Sequence, residues 1–320
     1  ATPLSGLRQH AGVGMSVASG TSLWSPRQWP TWVGVSCCWL LARLPIRAHP
    51  TIGRLVGRCL RLVLPRRARI AESNIELAFP DLSGSERAAL VVAVFDSLGI
   101  SVLEMVSVFF GAIDRFRPHF HIRNAEALRR AESEGRGVIL AGTHIGPLEL
   151  SAALLASQIP FDNVYRPSRN KVVDRLMLAA RERRYGQVLP VRSLSAVIRR
   201  VRAGKIVWFA VDQDMGHAGS VFVPLMGVES ATITSVSKLA RRTGAAVVFM
   251  SQFRDASALK WQLELEVVEG YPTADPKADA IRLNALVERE IREHPEQLYW
   301  VHRRFKSLRG GKRREYQTCR

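Results

Sequence analysis

The chain has 320 residues, 47% of them hydrophobic, and its 46 Lys and Arg outnumber 28 Asp and Glu to give a formal charge of +18. This excludes a disordered chain and leaves room for one large α/β domain or two modest ones. The charge favours anionic partners, but no zinc, helix-turn-helix or aromatic-interleaved pattern points to a specific nucleic acid, and Cys37, Cys38, Cys59 and Cys319 form neither a disulfide framework nor a zinc-ligand set, which fits a reducing compartment.

Residues 1–28 are polar and rich in Gly and Ser, and read as a disordered tail in which Met15 is a candidate start. Residues 29–65 form a membrane-associating helical segment. From Trp29 to Leu44 an apolar run with Trp at its mouth and Arg43 near its end falls short of the roughly 20 residues that span a bilayer squarely. It lacks the charge order and cleavage site of a signal peptide, so it is expected to dip into a membrane or span it marginally, the alternative being a buried first helix. From Thr51 to Leu64, Ile52, Leu55, Val56, Cys59, Leu60 and Val63 recur at helical spacing while Arg54, Arg58 and Arg61 share another stripe. Such a basic amphipathic helix suits an anionic membrane surface. Pro65 ends it, and no acidic residue precedes Glu72.

The remainder divides into an α/β domain over residues 66–308 and a basic tail over 309–320, whose Lys312, Arg313 and Arg314 are expected to be disordered. Ser83 and Glu86 make a capping box opening one helix, and a second apolar helix is expected through Val102 to Phe109. Strands are then expected at 120–122, 138–141, 163–165, 188–191, 206–212, 246–253 and 261–268. Helices are expected at 125–133, 148–156, 171–185, 194–203, 232–243 and 278–293. This alternation predicts an α/β fold with a largely parallel central sheet flanked by helices, and ligands of such sheets gather at the carboxyl ends of strands.

His144 falls just past one such end, in the stretch GTHIGPLEL. Glu149 is five residues on, about 140° away on a regular helix. Gly142, Gly146 and Pro147 break the regularity, however, so His144 is placed in the strand-to-helix turn with Glu149 reaching back to the imidazole from the first helical turn. A carboxylate on one ring nitrogen fixes the tautomer and leaves the other nitrogen as a general base.

GTHIGPLEL, VYRPSRNKVVDRLMLAARERRYG, GKIVWFAVDQDMGHAGSVFVPLMG and PEQLYWVHRRFK, in that order, together with SPRQWPTWVGV and RRARIAESNIELAFPDLSGSER nearer the start, resemble the lipid A biosynthesis acyltransferases. These are the lauroyl- and myristoyl-transferring enzymes of Gram-negative bacteria, within the lysophospholipid acyltransferase superfamily. The resemblance implies transfer of a fatty acyl group from acyl carrier protein to a hydroxyl of a lipid A precursor, at the cytoplasmic face of the inner membrane. It places the dyad on His144 and Glu149, a functional arginine on Arg181, and a functional aspartate on Asp212. Ala180 stands where the family has Gly, and Leu225-Met226 where aromatic residues are common, which leaves the acyl-chain length open.

The mechanism needs no enzyme nucleophile, which agrees with the lack of a Gly-x-Ser-x-Gly elbow. The oxyanion wants fixed positive donors, for which Arg181 and then Arg166 are candidates. Asp212 is expected to position Arg181 or a substrate group. Asp214, His302 and Arg303 complete the substrate-binding candidates, the last two for the acceptor's phosphate or sugar acids. Neither a metal nor another cofactor is expected. The alternatives are the same chemistry on another glycolipid or an aryl-polyene-type acceptor, or an inactive lipid-binding homologue.

Overall fold

A computed structural model of the chain describes residues 23–316 except 112 and 192. Residues 1–22 of the tail expected over 1–28, with the candidate start Met15, and the last four residues lie outside the described residues, while Pro26–Gln28 of that tail form a 3-10 turn. Four helices come first: α1 (Trp29–Leu41), α2 (His49–Val63), α3 (Pro65–Ala78) and α4 (Gly84–Phe109). Then follow β1 (Phe120–Arg123), α5 (Ala125–Ser133), β2 (Val138–Gly142), α6 (Leu148–Ala156), β3 (Asp162–Tyr165), α7 (Lys171–Glu182), β4 (Val188–Pro190), α8 (Leu194–Arg202) and β5 (Ile206–Ala210). The chain closes with β6 (Ser220–Leu225), β7 (Val228–Ile233), α9 (Ser235–Thr243), β8 (Ala246–Asp255), β9 (Lys260–Val267) and α10 (Pro276–Glu293).

The alternation builds a seven-stranded sheet of order β1-β9-β8-β2-β5-β3-β4. The five strands from β8 to β4 are parallel, whereas β9 returns antiparallel to β8 and carries β1 parallel to itself. Strand β2 lies near the middle and is buried on both faces. Its Ile139 and Ala141 join one apolar layer, Val138 and Leu140 the other, which is why it reads as an unbroken apolar run.

The sequence between β5 and α9 holds a feature the periodicity missed. Residues 220–233 form a separate antiparallel hairpin, β6–β7, and the helix expected from Thr232 begins only at Ser235. The strands turn through Met226 and Gly227, both at positive φ, the conformation that two-residue hairpin turns require. Leu225 and Met226 are buried there.

The two helices expected between Ser83 and Phe109 are one. Ser83 and Glu86 do form the capping box, and the helix then runs through Gly99 without interruption. Gly99 serves close packing instead. A Cβ on it would lie 1.9 Å from the Gly53 carbonyl oxygen of α2, and one on Gly57 would lie 2.0 Å from the Phe95 carbonyl oxygen. Helices α2 and α4 therefore meet backbone to backbone, and the inward face of α2 is its glycine face. Leu55, Leu62 and Val63 are left exposed at 62%, 78% and 75%. Helix α4 is long and apolar enough to cross a bilayer, but Val94, Phe95, Leu103 and Val106 are buried in the protein.

Helix α1 has 13 residues and at 1.5 Å per residue covers about 20 Å, against roughly 30 Å for a bilayer core. It is docked rather than free: Asn170 donates to Thr31 Oγ1 at 2.9 Å, and Arg115 donates to the carbonyls of Ala42 and Leu44 at 2.9 and 2.6 Å. At the other end, residues 309–316 depart from the expected loose tail. Ser307 and Arg313 form a bridge, and the buried Tyr316 hydroxyl donates to Asn74 and accepts from the Phe305 amide. The aromatic ring gives this segment an apolar anchor that a count of its basic residues does not reveal.

Candidate active site

The site follows from strand register. Gly142 of β2 lies beside Ala210 of β5, and the pairing continues in a 2.9 Å bond from the Val211 amide to the Gly142 carbonyl. His144 and Asp212 each stand two residues beyond that pair, so the period of two along a strand brings them together past the carboxyl edge of the sheet. Asp212 Oδ1 lies 2.8 Å from His144 Nδ1, and Oδ2 accepts the His144 backbone amide at 3.0 Å. One carboxylate thus holds both the ring and the backbone of the same residue.

Asp212, not Glu149, is the carboxylate on the imidazole. Glu149, in the first turn of α6, accepts instead from Arg181 of α7 and receives the Tyr185 hydroxyl at 3.5 Å. Asp212 in turn holds His144 rather than Arg181. The reason is positional: Glu149 lies at the start of α6 within reach of the Arg181 side chain, whereas Asp212 is fixed beside His144 by the sheet. Glu149 still acts on the imidazole through its charge.

Burial opposes a charged imidazole at His144, but the Asp212 carboxylate, with help from Glu149, outweighs it and holds the ring above its ordinary pKa. Burial likewise works against the Asp212 carboxylate, yet His144 and the amide bond keep its pKa below the usual range. Arg181 is half-buried, which disfavours its charge, and the Glu149 carboxylate more than compensates, raising its pKa. Its Nε is buried without a partner, and its guanidinium sits 5.2 Å from the Tyr165 ring centroid. With Nδ1–H donating to Asp212, Nε2 of His144 is the basic nitrogen. The Gln213 amide nitrogen is 3.4 Å from it, and Trp208 packs edge-on to the ring at 6.1 Å.

The turn carrying His144 is clamped from behind. The Gly146 amide donates to the Gln297 carbonyl at 2.7 Å, the His144 carbonyl accepts from Tyr299 at 3.0 Å, and Ser101 donates to the Gly146 carbonyl at 3.1 Å. Gly146 has φ +47°, and a Cβ there would lie 2.6 Å from Gln297 Oε1. Ser101 is held in turn by Arg254, which is buried with Glu104 at 2.9 Å. Gln252 donates to the carbonyls of Thr143 and Ile145. Thr143 donates to Glu290 at 2.6 Å, and burial pushes that carboxyl up to about 8. A cavity of about 220 Å³ lies behind this turn, lined by Ile145, Gln252 and Glu290 but not by His144.

The other candidates spread out. Arg166 is exposed just beyond β3. Asp214 is fully buried, and its carboxylate accepts from the Gly216 amide and from the amide and hydroxyl of Ser307. It thereby secures the C-terminal segment, which removes it from the substrate-binding set. His302 is half-buried with Nε2 unpartnered, and burial, aided by the Lys306 charge, lowers its pKa; His144 and Asp212 are within electrostatic reach. Arg303 lies 5.5 Å from the Tyr316 ring, while its neighbour Arg304 is buried and donates to the Ala231 carbonyl. Gln213, Thr143, Ser101 and the Arg254–Glu104 pair were not singled out from sequence. Gln213 and Thr143 carried a signal, their places next to Asp212 and His144. Among the described residues no group of three or more His, Cys, Asp or Glu is placed to hold a metal ion.

The chain matches the family model described as bacterial lipid A biosynthesis acyltransferase over residues 18–307. It is 36% identical over 292 residues to the lipid A biosynthesis lauroyltransferase of Escherichia coli K12, covering 90% of this chain and 94% of that protein. It is 35% identical over 284 residues to the palmitoleoyltransferase of the same organism, covering 88% and 92%. To the lipid A biosynthesis myristoyltransferase, also of Escherichia coli K12, it is 25% identical over 296 residues, 91% of each chain.

Proposed function

Because the chain belongs to the bacterial lipid A biosynthesis acyltransferase family, we propose that it transfers a fatty acyl group from acyl carrier protein to a hydroxyl of a lipid A precursor. His144 Nε2 removes the proton of the acceptor hydroxyl as its oxygen attacks the thioester carbonyl. The tetrahedral intermediate collapses, the carbon–sulfur bond breaks, and the imidazolium returns its proton to the departing carrier thiolate. Asp212 fixes the tautomer and stabilises the imidazolium. Arg181, aligned by Glu149, directs its charge at the oxyanion. His302 and Arg303 contact the acceptor's anionic head, and Arg166, exposed just beyond β3, is the second positive donor toward the oxyanion.

The observation that carries this reading is the doubly bonded Asp212–His144 pair beside an arginine at the carboxyl edge of the sheet. The +18 charge attracts an acidic carrier protein. The arginines of α2, with Leu55, Leu62 and Val63 exposed beside them, support docking on an anionic membrane at its cytoplasmic face. The test is acyl transfer from acyl carrier protein by the purified chain and its His144→Ala variant, read with mass spectrometry of lipid A from cells with and without the chain. Loss of transfer in the variant and of one secondary acyl chain in cells is expected. Equal rates for the two proteins would remove His144 as the base, and an unchanged lipid A profile with no redundant enzyme present would move the acceptor to another glycolipid.

A further inference from the structure

A groove of about 230 Å³ lies where the outer side of α2 meets α4, lined by Arg58, Arg61, Leu62, Val92 and Phe95. Its composition is two-part, three apolar side chains with two guanidinium groups. The walls are preformed, because the helices that carry them touch through Gly57 and Gly99 and cannot approach further. Arg58 faces one carboxylate, Asp96, at 3.5 Å, and among the described residues Arg61 has no ion-pair partner. The surrounding sequence supplies no other anion before Glu72. Leu62 and Val63 are largely exposed next to the groove, so the apolar lining continues onto the open surface of α2.

We propose that this groove binds one anionic membrane phospholipid, its phosphate on Arg58 and Arg61 and one acyl chain along Leu62 and Val92, above the buried Phe95 that forms the floor. A phosphate gains from two guanidinium groups of which only one is partly neutralised, and a hydrocarbon chain gains by leaving water for an apolar trough. A carrier protein would satisfy the arginines but leave the trough wet. The proposal rests on the membrane part of the functional reading and makes it specific. It also places the lipid near the chemistry: Phe95 is six residues before Ser101, about 9 Å along α4, and Ser101 holds the Gly146 carbonyl of the catalytic turn.

The test mixes the full chain with phosphatidylethanolamine vesicles containing a few per cent of phosphatidylglycerol that bears a photoactivatable acyl chain, and maps the adducts by peptide mass spectrometry. Adducts are expected on the peptides containing Leu62 and Val92 to Phe95. They should be lost in Val92→Trp, which fills the trough, and in Arg61→Glu, an exposed change that spares the fold. Arg61→Glu should melt at the parental temperature, which separates loss of lipid contact from loss of fold. Adducts confined to α1, an equal yield at these peptides from a photoactivatable phosphatidylcholine, or no change in either variant would each overturn the proposal. Vesicle co-sedimentation with no adduct in the groove would remove the groove alone. Failure to co-sediment at all would remove it together with membrane docking.

Discussion

The site contains two acid–base pairs built in different ways. His144 and Asp212 extend from neighbouring strands at matched register and are joined by two hydrogen bonds. Glu149 and Arg181 come from two helices and meet only through their side chains. Strand register fixes a pair through the backbone, so its geometry survives side-chain motion. A helix-borne pair is set by rotamers and depends on each partner to hold the other. The first arrangement suits a base that must present one nitrogen repeatedly, the second a positive charge tuned by its counter-ion.

Substitutions separate these two arrangements, and the largest effect belongs to the base. His144→Ala should lose about 10²- to 10⁴-fold in kcat, measured by acyl transfer at saturating acceptor. Asp212→Asn should lose nearly as much and shift the pH profile as well. Asp212 raises the pKa of His144, so its removal lowers that pKa, and the acidic limb of kcat/KM should move to lower pH. Glu149→Gln should move the limb in the same direction by less, because Asp212 is the dominant partner, and should reduce kcat by releasing Arg181. Ser101→Ala removes one bond to the Gly146 carbonyl and should cost about 0.5–1.5 kcal/mol in urea unfolding, with a smaller loss of kcat than any change at the two pairs.

The smallest effect on catalysis is expected behind the turn. Glu290 titrates near 8 when folded against an ordinary 4.5, so the folded chain holds a proton that the unfolded chain releases between those values. Its contribution to stability is greatest below the unfolded pKa and is lost as pH rises through the folded one. Glu290→Gln should therefore flatten the decline of thermal stability between about pH 4.5 and about pH 8, while leaving the order of the site substitutions unchanged. A profile as steep as that of the parent would show that Glu290 is ionised in the fold.

Much of the site's location was legible, but its pairing was not. His144 stood out because a polar residue followed the apolar run Val138 to Ala141 at the point where α/β ligands gather. Proximity in sequence then favoured Glu149 as its partner. The better signal was the equal distance of His144 and Asp212 from the ends of two apolar strands, which acquires meaning only once β2 and β5 are known to be neighbours. Strand order is a long-range property, and periodicity reports only local ones. The same limit hid the β6–β7 hairpin, whose short strands surround a turn at Met226 and Gly227, and the glycine face of α2, where the absence of side chains is what packs.

The most direct test of the central pairing is an NMR titration of the His144 imidazole in the parent, Asp212→Asn and Glu149→Gln proteins. The geometry predicts a pKa above the ordinary histidine value in the parent, a large fall in Asp212→Asn, and a smaller fall in Glu149→Gln. A larger fall in Glu149→Gln than in Asp212→Asn would contradict the account and restore Glu149 as the carboxylate that holds the base.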